Sequence, residues 1–533
     1  MMDFPLVLPH ILERAGHLYR DVELVSVKPD HSYHRYTYKE FYARSRQLAN
    51  ALVALGLNPG DRVATLMWNH HVHLESYFAI PSAGYVLHTL NLRLTPNDIA
   101  YLIQHAEDKV VIVDDILWPL WEKVAPLVKV DAVVVVPWTN PEIPPGALNY
   151  EAWIEQYSSG FQYPVIQETA AAGMCYTSGT TGKPKGVVYS HRALILQALS
   201  VGLGATLSIR QQDTVCSIVP MFHINAWGIP VLCAMVGAKQ VLPGPYLAPP
   251  QLLKLFMEET VTKAVGIPTI WMGVLQEYEK DPGQWDISAL QVIGSGGAPV
   301  PQALIQSYDA HGVTLLQGFG MTETAAVATF SILKSTLEDE PPETQYAYRA
   351  KAGMPIPLVE ARIMSLDDET AAELPHDDHA MGELQLRGPF VAQSYYNRTD
   401  AVASWTADGW FRTGDVAAID AEGYIRIVDR TKDLIKSGGE WISSVDLENA
   451  LMAHPGVKEA AVVGVPDPKW QERPVAGVVL KEGKVVSEAD LREFIAPKFP
   501  KWWLPDRIVF LSELPKTTTG KFLKTALRDR FTI

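Results

Sequence analysis

The amino-acid sequence predicts an α/β fold: a large N-terminal domain of layered α/β subdomains with a β-barrel-like part, followed by a small α+β domain. Three observations lead to it. Helical and extended patterns alternate through about the first 170 residues, as expected of parallel α/β layers. After about residue 350, polar and apolar side chains alternate strictly, the pattern of half-exposed antiparallel strands. From Asp429 the order becomes strand, helix, strand, strand, helix, strand, enough for a separate domain. A boundary at Asp429–Lys432 divides residues 1–429 from 430–533.

The elements follow in chain order. Phe41, Leu48, Leu52 and Leu55 fall on one helical face, and Gly56 offers the C-terminal stop. Arg62–Met67 reads as a strand. Thr95-Pro96 opens the next helix, with Thr as cap and Pro in the first turn. Val110–Val113 follows as a strand, and the β-branched run Val133–Val136 suits a strand buried on both faces. Leu290–Ile293 is an apolar strand leading into Gly296-Gly-Ala-Pro299. Glu383–Arg387 and Tyr424–Val428 are the alternating antiparallel strands. In the last domain Ser443 and Ser444 precede a helix, and Ser487 with Asp490 forms a capping box. Ala460–Val465, Val475–Leu480 and Arg507–Leu511 supply its strands.

Composition narrows the function. At 533 residues the chain holds three or four units of about 150 residues, and 47% apolar with 20% charged residues is an ordinary globular balance. Three cysteines, Cys175, Cys216 and Cys233, lack CxxC spacing, which disfavours a disulfide scaffold or a cysteine zinc site and fits a reducing cytoplasm. The net charge of −15 repels nucleic acid and anionic lipid. An anionic ligand therefore needs a local cluster of cations, backbone amides or Mg2+. The first residues lack a basic n-region, and the longest apolar stretch, near 228–238, is about half the ~20 residues of a spanning helix. At most a weak membrane association is expected.

The most informative segment is Tyr176-Thr-Ser-Gly-Thr-Thr-Gly-Lys-Pro-Lys-Gly186. Glycines let backbone N–H groups close around an anion, while hydroxyl and ammonium groups complete the cradle. A Walker A loop would need glycine where Thr177 stands and Ser or Thr where Pro184 follows Lys183, so this is not a P-loop NTPase. By composition alone a polyphosphate loop and a flexible surface turn remain equally open.

This segment resembles the phosphate-loop motif of the adenylate-forming superfamily of acyl-CoA synthetases, aryl-CoA ligases, luciferases and peptide-synthetase adenylation domains. Gln317-Gly-Phe-Gly-Met-Thr-Glu323, Gly409–Asp415, Asp429–Trp441 and Leu514–Lys521 match further motifs in family order. Pro220–Trp227 and Lys436–Ser443 resemble bacterial medium- and long-chain fatty acyl-CoA synthetases most closely. The resemblance implies that ATP and a carboxylic acid form an acyl adenylate and pyrophosphate, and that the thiol of coenzyme A then displaces AMP.

Roles follow residue by residue from the resemblance. Thr177, Ser178, Gly179, Thr180, Thr181, Gly182, Lys183 and Lys185 would hold the β- and γ-phosphates. Glu323 would bind Mg2+, with Thr322 on phosphate. Gly296, Gly297, Ala298 and Pro299 would approach adenine, together with Gln317, Gly318, Phe319, Gly320 and Met321. Phe319 stands where the family commonly has Tyr, keeping the stacking face and losing the hydroxyl. Asp415 and Arg430 would hold the ribose, and Lys521 would bridge the carboxylate and the α-phosphate. A mobile C-terminal domain pivoting at Lys432 would then bring Lys436, Gly438, Gly439 and Trp441 to the pantetheine arm.

His223 and Trp227 shape the acyl pocket, with Met221, Ile224, Ala226 and Val231 expected along the alkyl tunnel. Amino-acid-activating relatives carry Asp where His223 stands, which argues against an amino acid substrate. A medium- to long-chain fatty acid is the first reading; a short thioether or aryl acid, an acyl-AMP-forming or ligand-binding relative, and luciferase chemistry stand beside it. The family further implies a homodimer.

Overall fold

In the computed structural model, which describes residues 1–140, 142–177, 183–366, 372–398, 402–431, 433–438, 440–516 and 522–532, the capping residues act where the sequence places them. Thr95 accepts the Asp98 N–H at 3.2 Å and starts the helix Pro96–Ala106. Pro96 sits in the first turn, where a missing N–H costs nothing. Thr37 and Glu40 cap each other at the head of Tyr38–Ala54, whose Phe41, Leu48 and Leu52 are buried. Ser443 caps Ser444–Met452 by accepting the Asp446 N–H, and Ser487 and Asp490 form the box that opens Glu488–Ile495.

Among the described residues the strands form four sheets. A seven-stranded sheet carries Val110–Asp114 between Arg62–Leu66 and Ala132–Val136, all parallel. Its last pair, Ala171–Tyr176 with Gly186–Ser190, is antiparallel and brackets the glycine-rich segment. A nine-stranded sheet is built mainly from residues 214–355. Its far edge comes from the N-terminus: Glu23–Val27 pairs in parallel with Lys239–Leu242, and Tyr33–Thr37 lies outside it. Residues 23–37 therefore join a sheet formed by strands about 200 positions later, although the first helix packs on the helices that follow it. Parallel partners need a long crossover, so no local pattern announces them.

The antiparallel portion is a four-stranded sheet of Glu360–Met364, Gly382–Arg387, Phe411–Ile419 and Ile425–Arg430. The C-terminal domain is a five-stranded sheet with its own apolar core of Leu447, Leu451, Val462, Val478 and Ile495. It includes a short hairpin, Ile435–Ser437 with Glu440–Ile442, and a final helix, Lys524–Thr532, that the sequence pattern did not announce. Among the described residues no helix is long and apolar enough to cross a membrane.

Candidate active site

Strand order in the nine-stranded sheet reverses at Thr214–Ser217, which lies between Lys239–Leu242 and Lys263–Gly266. Loops leaving the carboxyl ends of strands diverge at such a point and open a crevice. A cavity of about 750 Å3 occupies it. Its floor is made by the residues that follow four parallel strands: Ile218–Pro220, Ile267, Gly296–Gly297 and Gly320–Glu323.

Close approach dictates the glycines of this floor. A Cβ on Gly320 would stand 1.8 Å from the Ala326 carbonyl oxygen, and one on Gly296 would stand 2.8 Å from the Gly318 oxygen. The same Gly296 Cβ would meet the Trp227 indole at 3.1 Å, so the Gly296 loop and the segment carrying Trp227 touch here. Gln317 is buried, and its Oε1 accepts the Val300 N–H at 2.9 Å, fixing the loop rather than lining the cavity. Gly318, Phe319 and Met321 line it, whereas Ala298 and Pro299 are exposed beyond its edge.

The glycine-rich segment is clipped at its base. The Thr177 N–H donates to the Lys185 oxygen at 2.9 Å, and the Lys185 N–H to Thr177 Oγ1 at 3.1 Å. Thr177, Lys183 and Lys185 line the cavity. Lys183 Nζ lies 4.8 Å over the Tyr101 ring and Lys185 Nζ 4.6 Å over the Tyr395 ring, a cation–π arrangement that restrains both ammoniums. Ser178, Gly179, Thr180, Thr181 and Gly182 lie outside the described residues, as do Lys432, Gly439 and Lys521.

Thr322 and Glu323 are buried in a short 3-10 turn on the cavity wall. Tyr189 Oη donates to the Thr322 oxygen at 2.7 Å, and Tyr395 Oη donates to Glu323 Oε1 at 2.5 Å. Burial and this carboxylate push the Tyr395 phenol well up, so it stays a donor. The donor set fits a Mg2+ ion carried by a nucleotide: one protein carboxylate, leaving the other positions to phosphate and water. Among the described residues there is no cluster of three or more His, Cys, Asp or Glu that would form an all-protein cage.

Asp415 and Arg430 face each other across the antiparallel pair, and the register brings Arg430 Nε within 2.7 Å of Asp415 Oδ1. Arg430 and Gly414 line the cavity, and Asp415 is buried directly behind them. His223, Ile224 and Trp227 line the cavity, with His223 and Trp227 at the positions expected for the acyl pocket. Met221, Ala226 and Val231 do not reach it; they are buried in the core, and Val219, Ile267, Ile270, Val327 and Phe330 supply the apolar wall instead. Lys436, Gly438 and Trp441 lie off the cavity, where the Gly438 N–H donates to the Trp470 oxygen at 2.8 Å.

The AMP-binding enzyme family matches residues 12–396, and its C-terminal domain matches residues 446–521. The chain belongs to the AMP-binding enzyme family. It is 48% identical over 532 residues to a long-chain-fatty-acid–CoA ligase of Thermus thermophilus, covering 100% of this chain and 96% of the relative. It is 42% identical over 536 residues to a 3-methylmercaptopropionyl-CoA ligase of Ruegeria lacuscaerulensis, covering 100% of this chain and 98% of that one. The crystal structure of an anthranilate CoA ligase with anthranoyl-AMP superposes with a TM-score of 0.87 at 27% identity, covering 99% and 98% of the two chains.

Several wall residues escaped the sequence. Tyr395, Arg93 and Glu383 line this cavity, yet none sits in a recognisable motif; Arg412, also on the wall, lies within the Gly409–Asp415 motif but was given no role. Tyr395 is 72 positions from the carboxylate it holds, a separation only the fold closes.

Proposed function

We propose that this chain is an ATP-dependent acyl-CoA ligase that activates a medium- to long-chain fatty acid as acyl-AMP and passes the acyl group to coenzyme A, releasing AMP and pyrophosphate. The observation that carries this reading is a single cavity whose wall runs from the clipped phosphate segment through Glu323 to an apolar face beside Trp227. The fatty-acid choice draws support from the Thermus thermophilus relative at 48% identity.

In the first step a carboxylate oxygen bonds to the α-phosphorus of ATP, and the bond to the bridging oxygen breaks as pyrophosphate leaves. Lys183 and Lys185 are assigned to the β- and γ-phosphates, and their fixed charges oppose the negative charge growing on the leaving group. Glu323 and Thr322 would hold Mg2+ and phosphate there; the ion, when bound, neutralises phosphate charge. Asp415 and Arg430 are assigned to the ribose, the Gly296–Pro299 and Gln317–Met321 segments to adenine, and Lys521 to the carboxylate and α-phosphate. In the second step the thiol gives up its proton, sulfur attacks the acyl carbonyl, and AMP departs with its bonding pair. Residues 430–533, pivoting at Lys432, would bring Lys436, Gly438, Gly439 and Trp441 toward the arm that carries the thiol.

A short thioether acid is the second reading, favoured by the Ruegeria lacuscaerulensis relative at 42% identity. CoA-dependent release of AMP and pyrophosphate, measured from acetate to palmitate with 3-(methylthio)propionate and benzoate, separates the two. Each methylene buried against the apolar wall adds about 0.8 kcal/mol, so KM should fall about fourfold per carbon until the wall is filled. An optimum at six or more carbons, reduced on the order of 100-fold in Lys521→Ala, upholds the fatty-acid reading. An optimum at the thioether acid replaces it, and turnover independent of CoA overturns ligase function. A cytoplasmic homodimer is the assembly we propose; buried Cys175, Cys216 and Cys233 suit a reducing compartment, and mass measurement in solution tests the dimer.

A further inference from the structure

Buried charge joins the two domains at a place the proposed chemistry does not use. Asp429 ends the strand Ile425–Arg430 of the four-stranded sheet, whereas Ser444, Glu448 and Lys524 belong to the C-terminal domain. Their side chains nevertheless form one cluster. Asp429 Oδ2 accepts the Ser444 N–H at 3.1 Å and also the Ser444 hydroxyl. Lys524 Nζ donates to Ser444 Oγ, pairs with Glu448 Oε1 at 2.9 Å and lies 3.8 Å from Asp429 Oδ1. Glu448 Oε1 also accepts the Val462 N–H at 2.7 Å. Asp429, Ser444 and Glu448 are buried, and burial pushes the Glu448 carboxyl up to about 7, so the Lys524 ammonium meets two carboxyl groups that are costly to bury without it.

The same strand makes two more contacts of this kind. Ser443 Oγ donates to the Val428 oxygen at 2.8 Å, and Arg426 pairs with Asp446 at 3.3 Å. The contacts made by Arg426, Val428 and Asp429 bridge position 432. A pivot there leaves Arg426, Val428 and Asp429 with the sheet and carries Ser443, Ser444, Asp446 and Lys524 away, so the contacts between those two groups must part, while Lys524 keeps Ser444 and Glu448. The cavity wall, among the described residues, includes nothing beyond Arg430, and Lys436 and Trp441 stand off it. The cluster therefore holds the arrangement in which the hairpin proposed for coenzyme A is away from the cavity.

We propose that Lys524 is a positioning residue for adenylate formation. By tying the head of the helix Lys524–Thr532 to Asp429 and Ser444, it holds the C-terminal domain, with Lys521 three residues upstream in sequence, in the arrangement that precedes thioester formation; parting the cluster is a requirement of the second step. The inference rests on the ligase reading and on Lys432 as the pivot.

The test separates the half-reactions in the full-length protein. Pyrophosphate release from ATP and a fatty acid without coenzyme A reports the first; coenzyme A-dependent consumption of synthetic acyl-AMP reports the second. Thermal unfolding of each variant runs alongside. Lys524→Met should slow the first about tenfold or more relative to the second, Lys524→Arg should restore the ratio, and Ser444→Ala should shift it in the same direction by less. Ser444→Ala retains the helix cap, which Ser443 provides by accepting the Asp446 N–H at 3.1 Å, so it keeps the test decisive if Lys524→Met does not fold. Equal losses in both half-reactions, a loss confined to the second, or no change would overturn the proposal. Wild-type protein that releases pyrophosphate with no acid at all would instead overturn the ligase reading, and this inference with it.

Discussion

Glu323 illustrates how much a single carboxylate owes to its neighbours. Its turn buries it on the cavity wall, and Tyr395 donates to one of its oxygens at 2.5 Å. The phenol, whose own proton is held, directs one carboxyl oxygen and leaves the other for a cation. Glu323→Gln removes that charge and should lower pyrophosphate release on the order of 100-fold. Tyr395→Phe removes only the orienting bond; kcat should fall about tenfold, in line with a hydrogen bond to a charged group, while the Mg2+ concentration for half-maximal rate rises. A Tyr395→Phe enzyme with an unchanged Mg2+ dependence would refute the orienting role. Glu323 was legible from its Gly-Met-Thr-Glu context. Tyr395 was not, because a tyrosine in a loop carries no spacing that points to a partner.

At the scale of elements, the segment after His223 is the least expected. Ile224, Asn225, Ala226 and Trp227 all have positive φ, from 45° to 57°, and Gly228 follows at 77°. Left-handed backbone costs non-glycine residues about 1–2 kcal/mol each, so the surroundings must impose this turn. Gln197 Nε2 donates to the Trp227 oxygen at 3.1 Å, the Ala226 N–H donates to the His223 oxygen at 3.2 Å, and Ile224 and Ala226 are buried. The turn explains why Ala226 is buried in the core while Trp227 reaches the cavity. A Cβ on Gly228 would stand 2.0 Å from Gln197 Oε1. Gly228→Ala should therefore destabilise the protein by more than about 1 kcal/mol and blunt discrimination by chain length, read from the denaturation midpoint and the KM series.

At the scale of the whole molecule, buried histidines set the acid limit. Burial holds His191 down to about 4 and, with the nearby His70, His73 down to about 3. Both values lie below that of an unfolded histidine, near 6.5. The stability they represent is present above pH 6.5 and is lost as pH falls through 4 and then 3, because the unfolded chain takes up the protons first. For His191 alone the loss reaches about 3 kcal/mol. Denaturant unfolding at pH 7, 5.5 and 4.5 should show this slope, and His191→Gln should flatten it; an identical slope in the variant would remove His191 from the account.

The sequence alone determined what depends on neighbours in the chain: helix starts at Thr95, Ser443 and Ser487, the strands Val110–Asp114 and Ala132–Val136, and the run of motifs from Tyr176 to Lys521 that marks an adenylate-forming chemistry. Caps and periodicity are local physics, satisfied within a few residues. Only the tertiary structure decided which strands lie side by side, that residues 23–37 complete a sheet begun near residue 214, that Tyr395 holds Glu323, and that Ile267 and Val327 rather than Met221 and Val231 line the cavity. Those outcomes rest on contacts between residues tens to hundreds of positions apart. Burial and charge pairing select them from many sequence-compatible alternatives only after the chain has closed on itself.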